Sequence, residues 1–485
     1  MSDASTSSQA GRSAPAKGVR HESMSAGDLV TWTAGRLIRD SHRLIHGAAV
    51  DSRLVRPGEL FVALPGERTD GHRFLRDAVV AGAAAVLVGV EPDAATLAAV
   101  GDVTIVVVSE PLAALHAVAA GWRAQFSPLV VGVTGSIAKT STKEAIASVL
   151  STRGRTLRTE GNQNNEIGVP LALLRLGPDD VNAVLEMGMY VGGEIAHLAE
   201  LARPEIGVVT AILGVHLSRI GSIEAVENAK AELVEALPAH GVAVLNADDP
   251  RVRRLASRTP ARAVTYGFAA DAHIGAAQIR SAGTGGMGFQ LRAAGPRGVE
   301  RLSVAIPTFG RLSVHNALAA AAVGIAAGMS LEEVASALSS GWSAPHRGQL
   351  ITLGGLTIVD DSYNASPASM HAALDLLAGL PGRRVAVLGE MFELGDDTEA
   401  GHRSTGAAAA ASCALLITVG HGAAGIAAGA RDAGMAPGAI VETADRASAL
   451  AALEARIAPG DVVLVKASRG AELDLLVDAL RGSRS

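Results

Sequence analysis

The chain has 485 residues, is 48% hydrophobic but only 3% aromatic, and carries a net charge of −6 from interspersed basic and acidic residues. Such a length suggests roughly three domains, with cores built from Ala, Val, Leu and Ile, and the mixed charge excludes a basic face for nucleic acid. The single cysteine, Cys413, excludes a disulfide framework and a cysteine-rich metal site, fits a reducing compartment, and lies in an apolar run as a core residue.

The opening "MSDASTSSQAGRSAPAKGVRHESM" is polar and has no apolar centre, so it is neither a signal peptide nor an anchor. It reads as part of a disordered tail over residues 1–27. Short β-branched runs then alternate with Ala/Leu/Glu-rich helical stretches: "AAVLVGV", "VTIVVVSE", "LVVGVTG", "IGVVTAI", "VAVLNADD", "RVAVLGEM", "LLITVG" and "DVVLVKAS". This alternation predicts an α/β fold with largely parallel, buried strands. "AAGPRGVERLSVAIP" predicts an antiparallel excursion around residues 270–306. Residues 406–430 contain no Asp, Glu, Lys or Arg and are long enough to span a membrane. Their centre, "LLITVGHG", reads instead as a strand and turn, so no span and a cytoplasmic location are expected. Domain boundaries fall near Gln125 and Ala344.

Chemistry concentrates in a few stretches. In "VVGVTGSIAKTSTKEAI", a strand delivers the turn Gly135, Ser136, Ile137, Ala138 to a helix opened by Lys139, Thr140 and Ser141. Backbone amides in such a turn cradle an anion, Lys139 can reach phosphates, and the Thr140 hydroxyl can ligate Mg²⁺. The strict pattern G-x-x-x-x-G-K-[ST] fails at Val133 and Ala138. If position 138 requires a positive φ, alanine costs about 1 kcal/mol or more relative to glycine, and its methyl crowds a phosphate. Spacing alone leaves an ordinary strand-to-helix turn with a surface lysine equally open.

Farther along, Glu186 follows one strand-like run and His216 another, where an open sheet turns its carboxyl ends to a ligand crevice. Both are candidate metal ligands; a helix cap and a half-buried histidine are the alternatives. Lys230, among glutamates on an amphipathic helix, reads as solvated. In "VDDSYNASPASM", Asp360 and Asp361 could bind ribose hydroxyls, a metal or a cationic substrate, or serve only the turn.

Taken together, these stretches resemble the Mur ligase family from about residue 28 to residue 480. "DSRLVRPGELFVALPGERTDGHRFLRDAVVAGAAAVLV" is similar to the family's uridine-nucleotide domain. "TGSIAKTSTKE", "GNQNNEIGVP", "EMGM", "AKAEL", "NADDP", "HNALAAAA", "HRGQL", "DDSYNASPASM", "VLGEMFELG" and "VLVKASRG" follow in family order. Three of them, "GNQNNEIGVP", "DDSYNASP" and "LGEMFELG", resemble the branch that adds D-alanyl-D-alanine. The D-N-P-R motif of the diaminopimelate-adding branch is missing from the sequence.

The resemblance implies three domains: a UDP-binding α/β domain (28–124), a P-loop ATPase-type domain with a mostly parallel sheet (125–343), and a Rossmann-like domain (344–485). It implies a monomer with UDP-N-acetylmuramoyl-tripeptide and D-alanyl-D-alanine as substrates, ATP and two Mg²⁺, and amide formation through an acyl phosphate. By the same likeness, Lys139 and Mg²⁺ on Thr140 and Glu186 neutralise the β/γ-phosphates. A second Mg²⁺ sits on His216, Glu186 and a carbamylated Lys230. Arg347 clamps the γ-phosphate, Asn316 lies near the nucleotide, and Asp360 holds the ribose. Asp51, Ser52, Arg53, Asp70, Gly71, His72 and Asn165 cradle the UDP substrate.

Four positions depart from the family pattern: Ala138 for glycine, Ala211 in the usual T-N, Ser218 for glutamate after "HL", and Ala319 for the second asparagine of H-N-x-x-N. The charged ligands are all kept, which favours an active ligase over a non-catalytic Mur-like binding protein. A Mur-type ligase with another amine substrate also stays open.

Overall fold

The β-branched runs form three sheets in the computed structural model, which describes residues 22–66, 69–214, 220–295 and 298–484. The first sheet comprises β1 (Arg36–Arg39), β2 (Ala48–Ala49), β3 (Leu60–Val62), β4 (Ala85–Val88) and β5 (Thr104–Val107), in the order β1-β5-β4-β3-β2. Only β1 is antiparallel to its neighbour. This sheet belongs to a unit that runs to Phe126 and takes in Leu174–Asp179 from farther along the chain. The buried Trp122 indole donates to the Leu176 carbonyl at 3.0 Å, a polar anchor for that returning segment.

Structure begins before residue 28. Met24 is buried and pairs with Ile45 through both backbone bonds, and a helix spans Ala26–Thr33. A capping box starts it: Ser25 Oγ accepts from the Asp28 amide while the Asp28 carboxylate accepts from the Ser25 amide. That local signal corrects the expected tail for residues 24–27; residues 1–21 lie outside the described part.

The second sheet has nine strands: β6 (Leu129–Thr134), β7 (Thr156–Arg158), β8 (Asn182–Glu186), β9 (Ile206–Val209), β10 (Val242–Asn246), β11 (Arg262–Gly267), β12 (Ile274–Ser281), β13 (Met287–Gly295) and β14 (Gly298–Ile306). Their order is β14-β13-β12-β11-β10-β9-β6-β8-β7, parallel from β12 to β7. The expected antiparallel excursion is β12 to β14. Strands β6, β8, β9 and β10 are buried along almost their whole length, which is why they read as continuous apolar runs.

The third sheet comprises β15 (Gln349–Leu353), β16 (Leu356–Asp360), β17 (Arg383–Gly389), β18 (Leu415–Val419), β19 (Ile440–Thr443) and β20 (Asp461–Lys466), ordered β15-β16-β20-β17-β18-β19. It is parallel except for β15. The sequence places a boundary near residue 344, yet the second and third sheets belong to one unit. Helices Gly310–Ala326 and Pro367–Ala378 pack against each other between them. Local patterning marks sheets but not such contacts.

The apolar stretch 406–430 divides into the end of helix Thr398–Ser412, strand β18 and most of helix Ala424–Asp432. Among the described residues, no helix is long and apolar enough to cross a membrane. Cys413 is buried there, and burial pushes its thiol up to about 11.

Candidate active site

The second sheet reverses direction at β6. From β6 the chain goes to the edge strand β7 and returns to β8 on one side, then crosses to β9 and β10 on the other. A crevice therefore opens at the carboxyl ends of β6, β8 and β9. The turn 135–138 leaves β6 into this crevice and feeds helix Lys139–Ser151.

Gly135 has φ +150°, and a Cβ there would overlap Thr210 Oγ1. The turn is riveted to the end of β9. Thr210 Oγ1 donates to the Ile137 carbonyl at 2.6 Å, the Ser136 amide donates to the Ala211 carbonyl at 2.8 Å, and Ser136 Oγ exchanges bonds with Leu213. Ala138 caps the helix in the left-handed region, φ +63°. Position 138 does demand the conformation that glycine adopts most readily.

Lys139 Nζ donates to the Gly135 carbonyl at 2.8 Å, curling back over the turn. Thr140 Oγ1 donates to Glu186 Oε2 at 2.8 Å, and Asn164 Nδ2 donates to Glu186 Oε1 at 2.8 Å. The Glu186 amide donates to Thr159 Oγ1 at 3.0 Å, and the fully buried Lys143 donates to the Thr159 carbonyl at 2.6 Å. Glu186 is thus a buried carboxylate with both oxygens oriented by neighbours. Burial and the Arg347 charge lower the Lys139 ammonium's pKa, against the opposing pull of Glu186.

The adjacent oxygens of Thr140 and Glu186 suit a hard divalent cation such as Mg²⁺. His216 and Ser218 lie outside the described residues. Without His216, no group of three His, Cys, Asp or Glu side chains converges among the described residues. Lys230 is not solvated: it is 3% exposed on the inner face of helix Ile223–Glu235. Burial, and next the Lys139 charge, push its pKa well below the ordinary lysine value. Its side-chain amine has no hydrogen bond or ion pair among the described residues.

The loop opens onto a cavity of about 960 Å³ shared with residues of the third sheet. Arg347 reaches it and stacks on Tyr363, 4.1 Å from the ring centroid. Asn316 also lines it, accepting from Thr142 Oγ1 at 3.0 Å. Asp360 is not brought into the cavity. Its fully buried carboxylate is committed to His346 Nδ1 at 2.9 Å and Ser362 Oγ at 2.6 Å. Its neighbour Asp361 faces the cavity and pairs with Lys466 at 2.6 Å. Asn165 lines the cavity too, but its side chain caps the Ile167 and Gly168 amides.

In the first unit, Asp51 caps the 3₁₀ turn Ser52–Leu54 and binds Arg53 through its amide and guanidinium. Ser52 is buried. Asp70 caps Gly71–Phe74 and accepts from His72 Nδ1 at 2.6 Å, while His72 Nε2 accepts from the Gly89 amide. That amide fixes the imidazole tautomer with its proton on Nδ1. Gly71 packs so closely on Leu64 that a Cβ would meet its backbone at 2.8 Å.

Sequence reasoning missed Asn164, Thr159, Tyr363 and Arg469. All four flank or sit within quoted motifs, but only their contacts single them out.

Three family models match in register: the Mur ligase family catalytic domain over residues 44–123, the Mur ligase middle domain over 133–324, and the Mur ligase glutamate ligase domain over 346–469. The UDP-N-acetylmuramoyl-tripeptide–D-alanyl-D-alanine ligase of Mycobacterium tuberculosis is 40% identical over 91% of this chain and 93% of its own. A crystal structure of MurF from Acinetobacter baumannii is similar at TM-score 0.84 and 29% identity, covering 96% of this chain and 100% of that one. MurF ligase from Thermotoga maritima in complex with ADP is similar at TM-score 0.77 and 26% identity, covering 90% and 97%.

Proposed function

Since this chain belongs to the Mur ligase family, we propose that it adds D-alanyl-D-alanine to UDP-N-acetylmuramoyl-tripeptide at the expense of ATP, in peptidoglycan precursor synthesis. The observation that carries the reading is the convergence of Lys139, the Thr140–Glu186 pair and Arg347 on one cavity. A carboxylate and a triphosphate repel each other, so the site needs fixed cations where negative charge accumulates.

The tripeptide carboxylate attacks the γ-phosphorus. The bond from the γ-phosphorus to the bridging oxygen breaks, releasing ADP, and an acyl phosphate results. The neutral dipeptide amine then adds to the acyl carbon, and the tetrahedral intermediate expels inorganic phosphate and a proton. Turn amides 137–139 and Lys139 would hold the β/γ-phosphates, and Arg347 would hold the transferred group from the third sheet's side. Mg²⁺ would be held by Thr140 and Glu186; when bound, it supplies neutralisation of the phosphate oxygens.

Lys230 fits the carbamate reading because a buried, neutral amine is the form that adds CO₂. A C–N bond forms, a proton leaves, and the buried amine becomes an anionic oxygen donor. With His216 and Glu186 it would complete a second Mg²⁺ site.

Phosphate release by the purified chain tests the reading. It should require Mg-ATP, UDP-N-acetylmuramoyl-tripeptide and D-alanyl-D-alanine together, with a product mass equal to both substrates less one water. No release while the UDP precursor still binds would favour a binding protein or a different amine.

A further inference from the structure

The third sheet has its own reversal point. From β17 the chain moves outward to β18 and β19, then returns to insert β20 between β16 and β17. Its ligand crevice therefore lies at the carboxyl ends of β17 and β20. The two loops there are stitched together: the Ser468 amide donates to the Glu390 carbonyl at 3.0 Å, and the Phe392 amide donates to Ser468 Oγ at 3.0 Å. Both loops open into the large cavity through Phe392, Leu394 and Arg469.

Four lysine or arginine side chains line that cavity among the described residues: Lys139, Arg347, Lys466 and Arg469. Lys139 belongs to the phosphate turn, and Arg347 lies close enough to depress it. Lys466 is 2% exposed and already neutralised by Asp361 at 2.6 Å, with the Asn364 carbonyl at 2.8 Å. Arg469 is exposed and donates from one guanidinium nitrogen to Asp474 at 2.8 Å, leaving other donors of its fork for a ligand. Phe392, 43% exposed, lies against Gly470, where a Cβ would meet its ring at 2.8 Å. An apolar wall thus stands beside the guanidinium.

Arg347 and Arg469 share the Tyr363 ring, at 4.1 and 5.3 Å from its centroid, which caps their separation at the total of those distances. A dipeptide spans at most about 7 Å, and a charge-assisted hydrogen bond adds about 3 Å at each end, so its amine can meet an acyl group held at Arg347 while its other end reaches Arg469.

Resting on the ligase reading above, we propose that Arg469 binds the terminal carboxylate of the incoming dipeptide, with Phe392 against its methyl groups. The anchor selects a free C-terminal carboxylate and sets how far the amine projects toward the acyl phosphate.

Steady-state kinetics with D-alanyl-D-alanine and its C-terminal amide test this on the full chain. The unsubstituted chain should show a KM for the amide higher by about tenfold or more, the loss of a charge-assisted pair. Arg469→Met should raise the dipeptide KM by about the same factor and erase the preference for acid over amide. The KM values for ATP and the UDP-tripeptide should stay within about twofold, and Arg469→Lys should recover part of the loss. An unchanged dipeptide KM, a retained acid preference, or a rise confined to the UDP-tripeptide KM would overturn the anchor. Should Arg469→Met fail to fold, the amide comparison on the unsubstituted chain still decides. Failure of the ligase reading looks different: the unsubstituted chain would then release no phosphate on adding the dipeptide.

Discussion

Ala138 sits at φ +63° where the turn after β6 passes into its helix. There an L side chain costs about 1 kcal/mol or more in the folded state. Ala138→Gly relieves that strain but adds about 0.4–1 kcal/mol of unfolded-state entropy, so the two effects nearly cancel in stability. The substitution also removes a methyl from the cavity lining, where the proposed phosphates would sit. Ala138→Gly should therefore lower the KM for ATP and raise the rate with little change in thermal midpoint. An unchanged or lower rate in initial-velocity assays would show that the turn has adapted to alanine. Lys230 makes a different point. Its pKa is well below the unfolded value, so between the two values the unfolded chain binds more protons. Stability must then rise with pH across that window, by up to about 1.4 kcal/mol per pH unit for this group. Urea unfolding in CO₂-free buffer should give a higher midpoint at pH 9 than at pH 7. Lys230→Met should flatten part of that rise and stabilise the chain at pH 7, leaving the smaller contribution of Lys139, which has the same sign.

At the scale of elements, the site is made by a turn pinned between strands β6 and β9. Gly135 is the pivot, because its missing Cβ is what lets the Thr210 hydroxyl reach the Ile137 carbonyl. Gly135→Ala should push the turn off Thr210 and break that bond, costing about 1–3 kcal/mol for the unpaired carbonyl alongside the backbone strain. Titration calorimetry should then show nucleotide binding lost or much weakened, with a lower thermal midpoint. Binding at the original affinity would mean that the cradle does not depend on this pivot. The Glu186 carboxylate illustrates the same dependence. Strand β8 delivers it, while helix Lys139–Ser151 and the loop holding Asn164 orient it. Much of this was legible beforehand. A buried parallel strand is an apolar run, a small-residue turn follows it, and a polar residue at its end faces the crevice. The choice between Asn164 and Asn165 was not legible, because both occur in one polar run. Only the approach of Glu186 gives the first a ligand-site role and leaves the second as a cap.

Across the whole molecule, the cavity depends on side chains that meet from far apart in sequence, such as Thr142 and Asn316, 174 positions apart. The sequence by itself determined the alternation of strands and helices, the phosphate turn and its missing glycine, and the order of motifs that identifies the family. Those are local patterns of period, turn chemistry and residue type, written in neighbouring positions. The tertiary structure alone decided that Ala138 adopts a left-handed backbone, and that Lys230 is buried rather than solvated. It also turned Asp360 to His346 and away from the cavity, and drew Arg347 and Arg469 to one tyrosine ring. Burial, ion pairing and ring stacking depend on which surfaces pack together. A charged residue on an amphipathic helix or at a strand end has the same local signature whether its partner is water, a buried histidine or a substrate.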